Sequence, residues 1–184
     1  LKFTALFTNT EGTANQVFTQ IETDYTAVKE KAQQATDRPS VIAGAPFNGQ
    51  WYRAGGRSYL AAFLADAGMK YVFTDDESSG SDPAQIETML EAGAQADIWV
   101  NADMTKKWQT ISAIGAEDPN LATIKGAKDG RVYNPTKRIN AGGGNDYWQL
   151  GVVRPDLVLR DLTKVAHPDL FTDQEFTFYE QLPA

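Results

Sequence analysis

The chain has 184 residues, no cysteine, a formal net charge of −7 and 42% hydrophobic positions. This length and apolar fraction suffice for one buried core, so a single domain is expected. The missing cysteines exclude disulfides, thiolate metal sites and a cysteine nucleophile while leaving the redox compartment open, and 17 dispersed Lys and Arg in an acidic chain exclude a general nucleic-acid binder.

The chain opens on "LKFTALFTNTEG", which has neither the charged n-region nor the continuous apolar h-region of a signal peptide, and no initiator Met. It therefore reads as processed or cut from a longer protein. From Ala14 to Ala32 the residues Val17, Phe18, Ile21, Tyr25 and Val28 recur at three- and four-residue steps and predict one apolar face of a helix. "TDRPS" breaks it. Short apolar runs then alternate with helical patterns: "SVIAG", "YLAAFLADAG", "KYVF", "AQIETMLEAG", "ADIWV", "NLATIKGAKDG", "RVYN". That alternation predicts an α/β fold, a three-layer sandwich in which helices flank a mostly parallel central sheet. Gly68 and Gly130 stand where left-handed caps would turn the chain back into the sheet. The last long helix is expected to start at Pro155, to carry Leu157, Val158, Leu162 and Val165 inward, and to stop at His167-Pro168. "TDDESSGSD" reads as an acidic, flexible loop. No stretch is apolar enough for a membrane span.

In open parallel sheets, ligands sit at the carboxyl ends of the strands, where the outgoing loops converge. Three such loops are rich in unusual residues: "APFNGQWYRAGG", "NADMTKKW" and "PTKRINAGGGNDYW". They make Trp51, Tyr52, Arg53, Asn101, Lys137, Arg138, Asn145, Tyr147 and Trp148 the candidate ligand-binding residues. Aromatics offer flat apolar area at low entropic cost, and Arg and Lys offer charge-assisted bonds to carboxylates, phosphates or catecholates. An anionic ligand whose binding weakens with salt is therefore expected. Trp51 and Trp148 read equally as ligand platforms and as packing residues. The three cations read also as solvated charges, Gly142 to Gly144 as a hinge, and Asn145 and Asp146, Asp146 foremost, as caps of the helix that follows.

Catalytic constellations are poor. No GxSxG elbow accompanies His167, the single histidine, which reads as structural, and a zinc site lacks partners. Loop carboxylates such as Asp75, Asp76 and Asp103 leave a small α/β enzyme as the alternative reading, and an adhesion or sensor module as a third.

"GGNDYWQLGVVRPDLVLRDLTKVAHPDLF" (143–171), with "GQWYRAGGRSYLAAFLADAG" (49–68), "ADIWVN" (96–101) and "DGRVYN" (129–134), resembles the C-terminal region of substrate-binding proteins of bacterial ABC importers in the ferric siderophore, haem and cobalamin group. The resemblance implies two α/β lobes joined by a long helix, with the ligand between them. Residues 1–184 are then one C-terminal lobe, 1–35 being the end of the interlobe helix and the first lobe helix, and 40–184 the α/β core. It further implies no resident cofactor, a metal-chelate ligand carrying iron or cobalt, and an ABC permease as partner. It implies a monomer in the periplasm or anchored outside the cell, often as a lipoprotein. It also implies a surface acid that docks permease arginines; Asp66 and Lys70 stand in the corresponding stretch.

Overall fold

The computed structural model describes residues 1–184. Helices α1 (Lys2–Ala5) and α2 (Glu11–Gln33) lead into β1 (Ser40–Ala43), β2 (Pro46–Phe47), β3 (Gln50–Ala54), α3 (Tyr59–Asp66), β4 (Lys70–Tyr71), β5 (Ser81–Ala84) and α4 (Ile86–Gly93). There follow β6 (Ile98–Val100), α5 (Ile111–Glu117), α6 (Lys125–Lys128), β7 (Val132–Asn134), α7 (Leu150–Val153), α8 (Pro155–Ala166) and β8 (Glu180–Gln181).

The main sheet has the order β4-β1-β6-β7-β8, with only β8 antiparallel. Its strands are apolar on both faces because each face is covered. Val41, Ala43, Ile98 and Val100 pack with Ala61 and Leu64 of α3 and with Val158, Leu159, Leu162 and Val165 of α8. The alternate residues Ile42, Trp99 and Val132 pack with Met89 of α4, Ile114 of α5 and Ala127 of α6. This is the three-layer arrangement that the alternating pattern predicts. α2 lies on α8.

Gly68 and Gly130 adopt φ of 81° and 71°, as expected of left-handed caps. Elsewhere tertiary packing reshapes the expected elements. "NLATIKGAKDG" is divided into a 3-10 turn (Leu121–Thr123) and the one-turn α6, because Ile124 takes an extended conformation (ψ 130°) that buries its side chain completely. On α2, Tyr25 and Val28 pack on the core while Val17 and Phe18 remain 42% and 40% exposed, so only half of the apolar face is covered.

A second, antiparallel sheet β2-β3-β5 was not expected. Asn48 and Gly49, with φ of 51° and 78°, form the two-residue turn that joins β2 to β3, the primed-turn geometry that an Asn-Gly pair favours. Part of "TDDESSGSD" is also not a flexible loop: Ser81 and Asp82 pair with Ala54 and Arg53 in β5, and Asp76 is bound to Arg53.

His167 stops α8 and is buried there, with its Nε2 unpartnered. Burial pushes its imidazole below its usual pKa. The unfolded chain then takes up its proton at a higher pH than the folded one, so this residue costs stability as pH falls from about 6.5 through the depressed folded value. Urea unfolding between pH 7 and 5 should show a loss that the His167→Gln variant lacks.

Candidate functional site

Two strand ends shape the site. Beyond β1, Gly44 (φ 81°) donates its N–H to the Val100 carbonyl, and a Cβ there would stand 3.1 Å from Trp51 Nε1. Beyond β6, Asn101 (φ 56°) turns sharply, and its Oδ1 accepts a 2.8 Å hydrogen bond from the hydroxyl of fully buried Tyr179. Between these ends lies a cleft of about 310 Å³. Tyr52 and Ser81 of the small sheet form one wall, Ser58 and Tyr59 at the start of α3 another, and Met104 and Trp148 the third.

The wall beside α3 is held by backbone packed on backbone. A Cβ on Gly55 would lie 2.2 Å from the Ser78 carbonyl oxygen, and one on Gly56 2.4 Å from that of Asp76, so only glycine allows this approach. Ser58 caps α3 by accepting from Ala61 N at 3.2 Å. An apolar pocket of about 360 Å³ adjoins the cleft and shares Tyr59 and Trp148 with it; Phe63, Tyr147, Val152 and Pro155 help to line it.

The candidate residues therefore separate. Tyr52, Asn101 and Trp148 line the cleft, and Tyr147 lines the adjoining pocket from a nearly buried position. Trp51 is fully buried against Trp99 and donates from Nε1 to the Ala43 carbonyl at 3.1 Å, so it is a packing residue. Asn145 is buried and donates to the Met104 and Pro135 carbonyls at 3.0 and 2.8 Å. Asn145, not Asp146, caps the 3-10 turn Asp146–Trp148, its Oδ1 accepting from Tyr147 N.

The cations face carboxylates instead of the cleft. Arg53 pairs with Asp76 and lies over the Phe73 ring. Lys137 donates to the Phe176 carbonyl at 2.6 Å and sits 3.4 Å from Glu175. Arg138 pairs with Asp146 at 2.6 Å. The three glycines lie in a turn that Asn140 closes, its Oδ1 accepting from Gly142 N and Gly144 N at 2.9 and 3.0 Å.

Two of the carboxylates that an acid–base reading would use are also committed. Asp76 binds Arg53 and Ser78 N, and buried Asp103 accepts from Thr105 N and Trp108 N, each at 2.8 Å. Asp66 is held by the Tyr25 hydroxyl at 2.7 Å and Lys29 at 2.8 Å.

Ser58 and Tyr59 lie just past the Gly55-Gly56 pair that ends the aromatic loop, and Ser81 lies in the acidic stretch that reads as a flexible loop, so the strand-end loops single out none of the three. Ser58 as a cap followed by an aromatic is the signal that could have found the first two.

A parallel sheet whose strand ends open into an aromatic cleft offers a site for a small ligand at the carboxyl edge of the sheet. The chain belongs to the periplasmic binding protein family, whose model matches residues 2–139. It is 30% identical over 182 residues to an uncharacterized lipoprotein of Methanocaldococcus jannaschii, covering 97% of this chain and 41% of that one. Its fold is similar to that of the periplasmic heme-binding protein RhuT of Roseiflexus sp. RS-1, with TM-score 0.69, 19% identity and coverage of 92% and 61%. A periplasmic solute-binding protein of Veillonella parvula gives TM-score 0.68 at 17% identity, with coverage of 94% and 50%. The chain thus spans less than two thirds of the length of each of these three proteins.

Proposed function

We propose that this chain is the C-terminal lobe of the extracytoplasmic substrate-binding component of an ABC importer. It captures a metal chelate, such as a ferric siderophore, haem or a corrinoid, against a second lobe and delivers it to the permease. The observation that carries this reading is the cleft beyond β1 and β6 with three exposed aromatics, Tyr52, Tyr59 and Trp148, around it. Membership of the periplasmic binding protein family and likeness to a heme-binding structure support it. The lipoprotein relative supports anchoring outside the cell.

A ligand held between two lobes takes about half its contacts from each, while one lobe alone must still offset roughly 4–15 kcal/mol of association entropy. The 184-residue chain should therefore fold as a compact monomer and bind chelates weakly. Calorimetry on this chain and on the same chain joined to a first lobe should show the affinity rising with the second lobe. Equal affinity would sink the half-site reading, and conversion of the ligand into product would favour the enzyme alternative.

A further inference from the structure

The cleft and its apolar extension share Tyr59 and Trp148, and no charged side chain lines either of them. The cations that sequence position assigned to this edge are all neutralised elsewhere: Arg53 by Asp76, Lys137 by Glu175 and Arg138 by Asp146. Arg57, next to Ser58 of the wall, is paired with Glu77 at 2.9 Å, although both partners are exposed. Freeing Arg53 or Arg138 for a ligand would leave a partly buried carboxylate, Asp76 or Asp146, without its partner, whereas Glu77 and Glu175 are solvated. A chain of net charge −7 also gives no long-range attraction for a polyanion.

The cleft does hold one polar group in readiness. Tyr179 donates to Asn101 Oδ1, which fixes the amide of a residue that lines the cleft, and its Nδ2 makes no hydrogen bond within the protein. Tyr179 is completely buried and cannot turn to follow a ligand. An amide NH2 so held donates to an acceptor oxygen, and in a cleft without cations a neutral carbonyl-type oxygen is the one that carries the smaller desolvation cost.

Resting on the proposed function, we infer that the ligand face seated on this lobe is uncharged. It is apolar where it meets Tyr59 and Trp148, and it offers a neutral hydroxamate- or amide-type oxygen to Asn101 Nδ2. The ligand class is a neutral chelate, not a polyanionic catecholate.

The test titrates the 15N-labelled chain with three diamagnetic probes: gallium ferrichrome, a neutral trishydroxamate; cyanocobalamin, an amide-decorated corrinoid; and gallium enterobactin, a trianionic triscatecholate. At least one neutral probe should shift the Asn101 side-chain NH2 resonances, and which one does so separates the hydroxamate source from the amide source. Its affinity should change less than about twofold between about 50 and 500 mM NaCl, and the triscatecholate should bind about tenfold more weakly. Asn101→Asp keeps a residue that tolerates positive φ and replaces the donor with an acceptor, so it should cost the neutral probe about tenfold in affinity. Arg57→Gln should leave that affinity unchanged. Stronger binding of the triscatecholate, a steep salt dependence, an indifferent Asn101→Asp variant that remains folded, or a loss with Arg57→Gln would each overturn the inference while leaving the chelate-binding function standing. Failure of both neutral probes to shift the Asn101 resonances would likewise overturn the inference, while the chelate-binding function stands or falls on the comparison of one lobe with two.

Discussion

Replacing Asp161 with alanine should lower the unfolding free energy by about 3–4 kcal/mol, a loss expected only where a buried hydrogen-bonding hub is removed. Asp161 projects from α8 and is almost completely buried. Its carboxylate accepts from Thr177 N on both oxygens at 2.9 Å, and from Phe178 N at 2.6 Å and Tyr179 N at 3.1 Å. Burial raises its carboxyl above the usual range, and the three backbone donors act in the opposite direction. With alanine, N–H groups in a segment whose Phe178 and Tyr179 side chains are fully buried would lose their acceptor. The segment leads into β8, so the anchor of the antiparallel edge strand on β7 would loosen with it. Asp161→Asn keeps one acceptor oxygen and should lose about 2 kcal/mol. Urea midpoints give these losses, and amide exchange at 177–179 should accelerate more than exchange in β1 or β6. Because Tyr179 also orients Asn101, the same variant should broaden the Asn101 side-chain resonances.

The layers of the fold were legible because apolar runs, glycine caps and Pro155 each act locally. "SVIAG", "ADIWV" and "RVYN" are strands for the reason their composition suggests: both faces of the sheet are covered. The site was less legible because its outcome depends on partners far along the chain. Arg53 meets Asp76 across 23 positions and Lys137 meets Glu175 across 38, and no spacing rule announces such pairs. The expectation of an anionic ligand rests on Arg53, Lys137 and Arg138, each of which the structure pairs with a carboxylate. The small sheet has its one local signal in Asn48-Gly49, and its pleat decides which aromatic faces the cleft. In a loop, Trp51 and Tyr52 could both face a ligand; in a pleated strand, consecutive side chains point to opposite faces. Trp51 is therefore 0% exposed and Tyr52 50%.

Trp51 and Trp148, alike as sequence candidates, should separate completely when each is replaced by alanine. Trp51→Ala should cost about 3–5 kcal/mol, the range for deleting a buried large aromatic. The indole fills the space between Gly44 and Trp99, its ring centroid 6.2 Å from that of Trp99, and its N–H satisfies the Ala43 carbonyl at the end of β1. Its loss would open a cavity and leave a carbonyl unpaired at the same point. Trp148 is 52% exposed, with one face edge-on to Tyr147 at 5.1 Å, so Trp148→Ala should change stability by no more than about 1 kcal/mol. Binding should reverse the order. Trp148 borders both the cleft and the apolar pocket, and an exposed aromatic shared by two subsites has the character of a binding anchor, so its removal should weaken chelate binding by about tenfold or more. The protein reports this directly, because Trp51, Trp99 and Trp108 are buried while Trp148 is exposed. Quenching of the exposed indole by a bound chelate should disappear in Trp148→Ala with the melting temperature nearly intact. A Trp51→Ala protein as stable as the parent, or a Trp148→Ala protein with parental affinity, would return the two residues to the equivalence that their sequence context suggests.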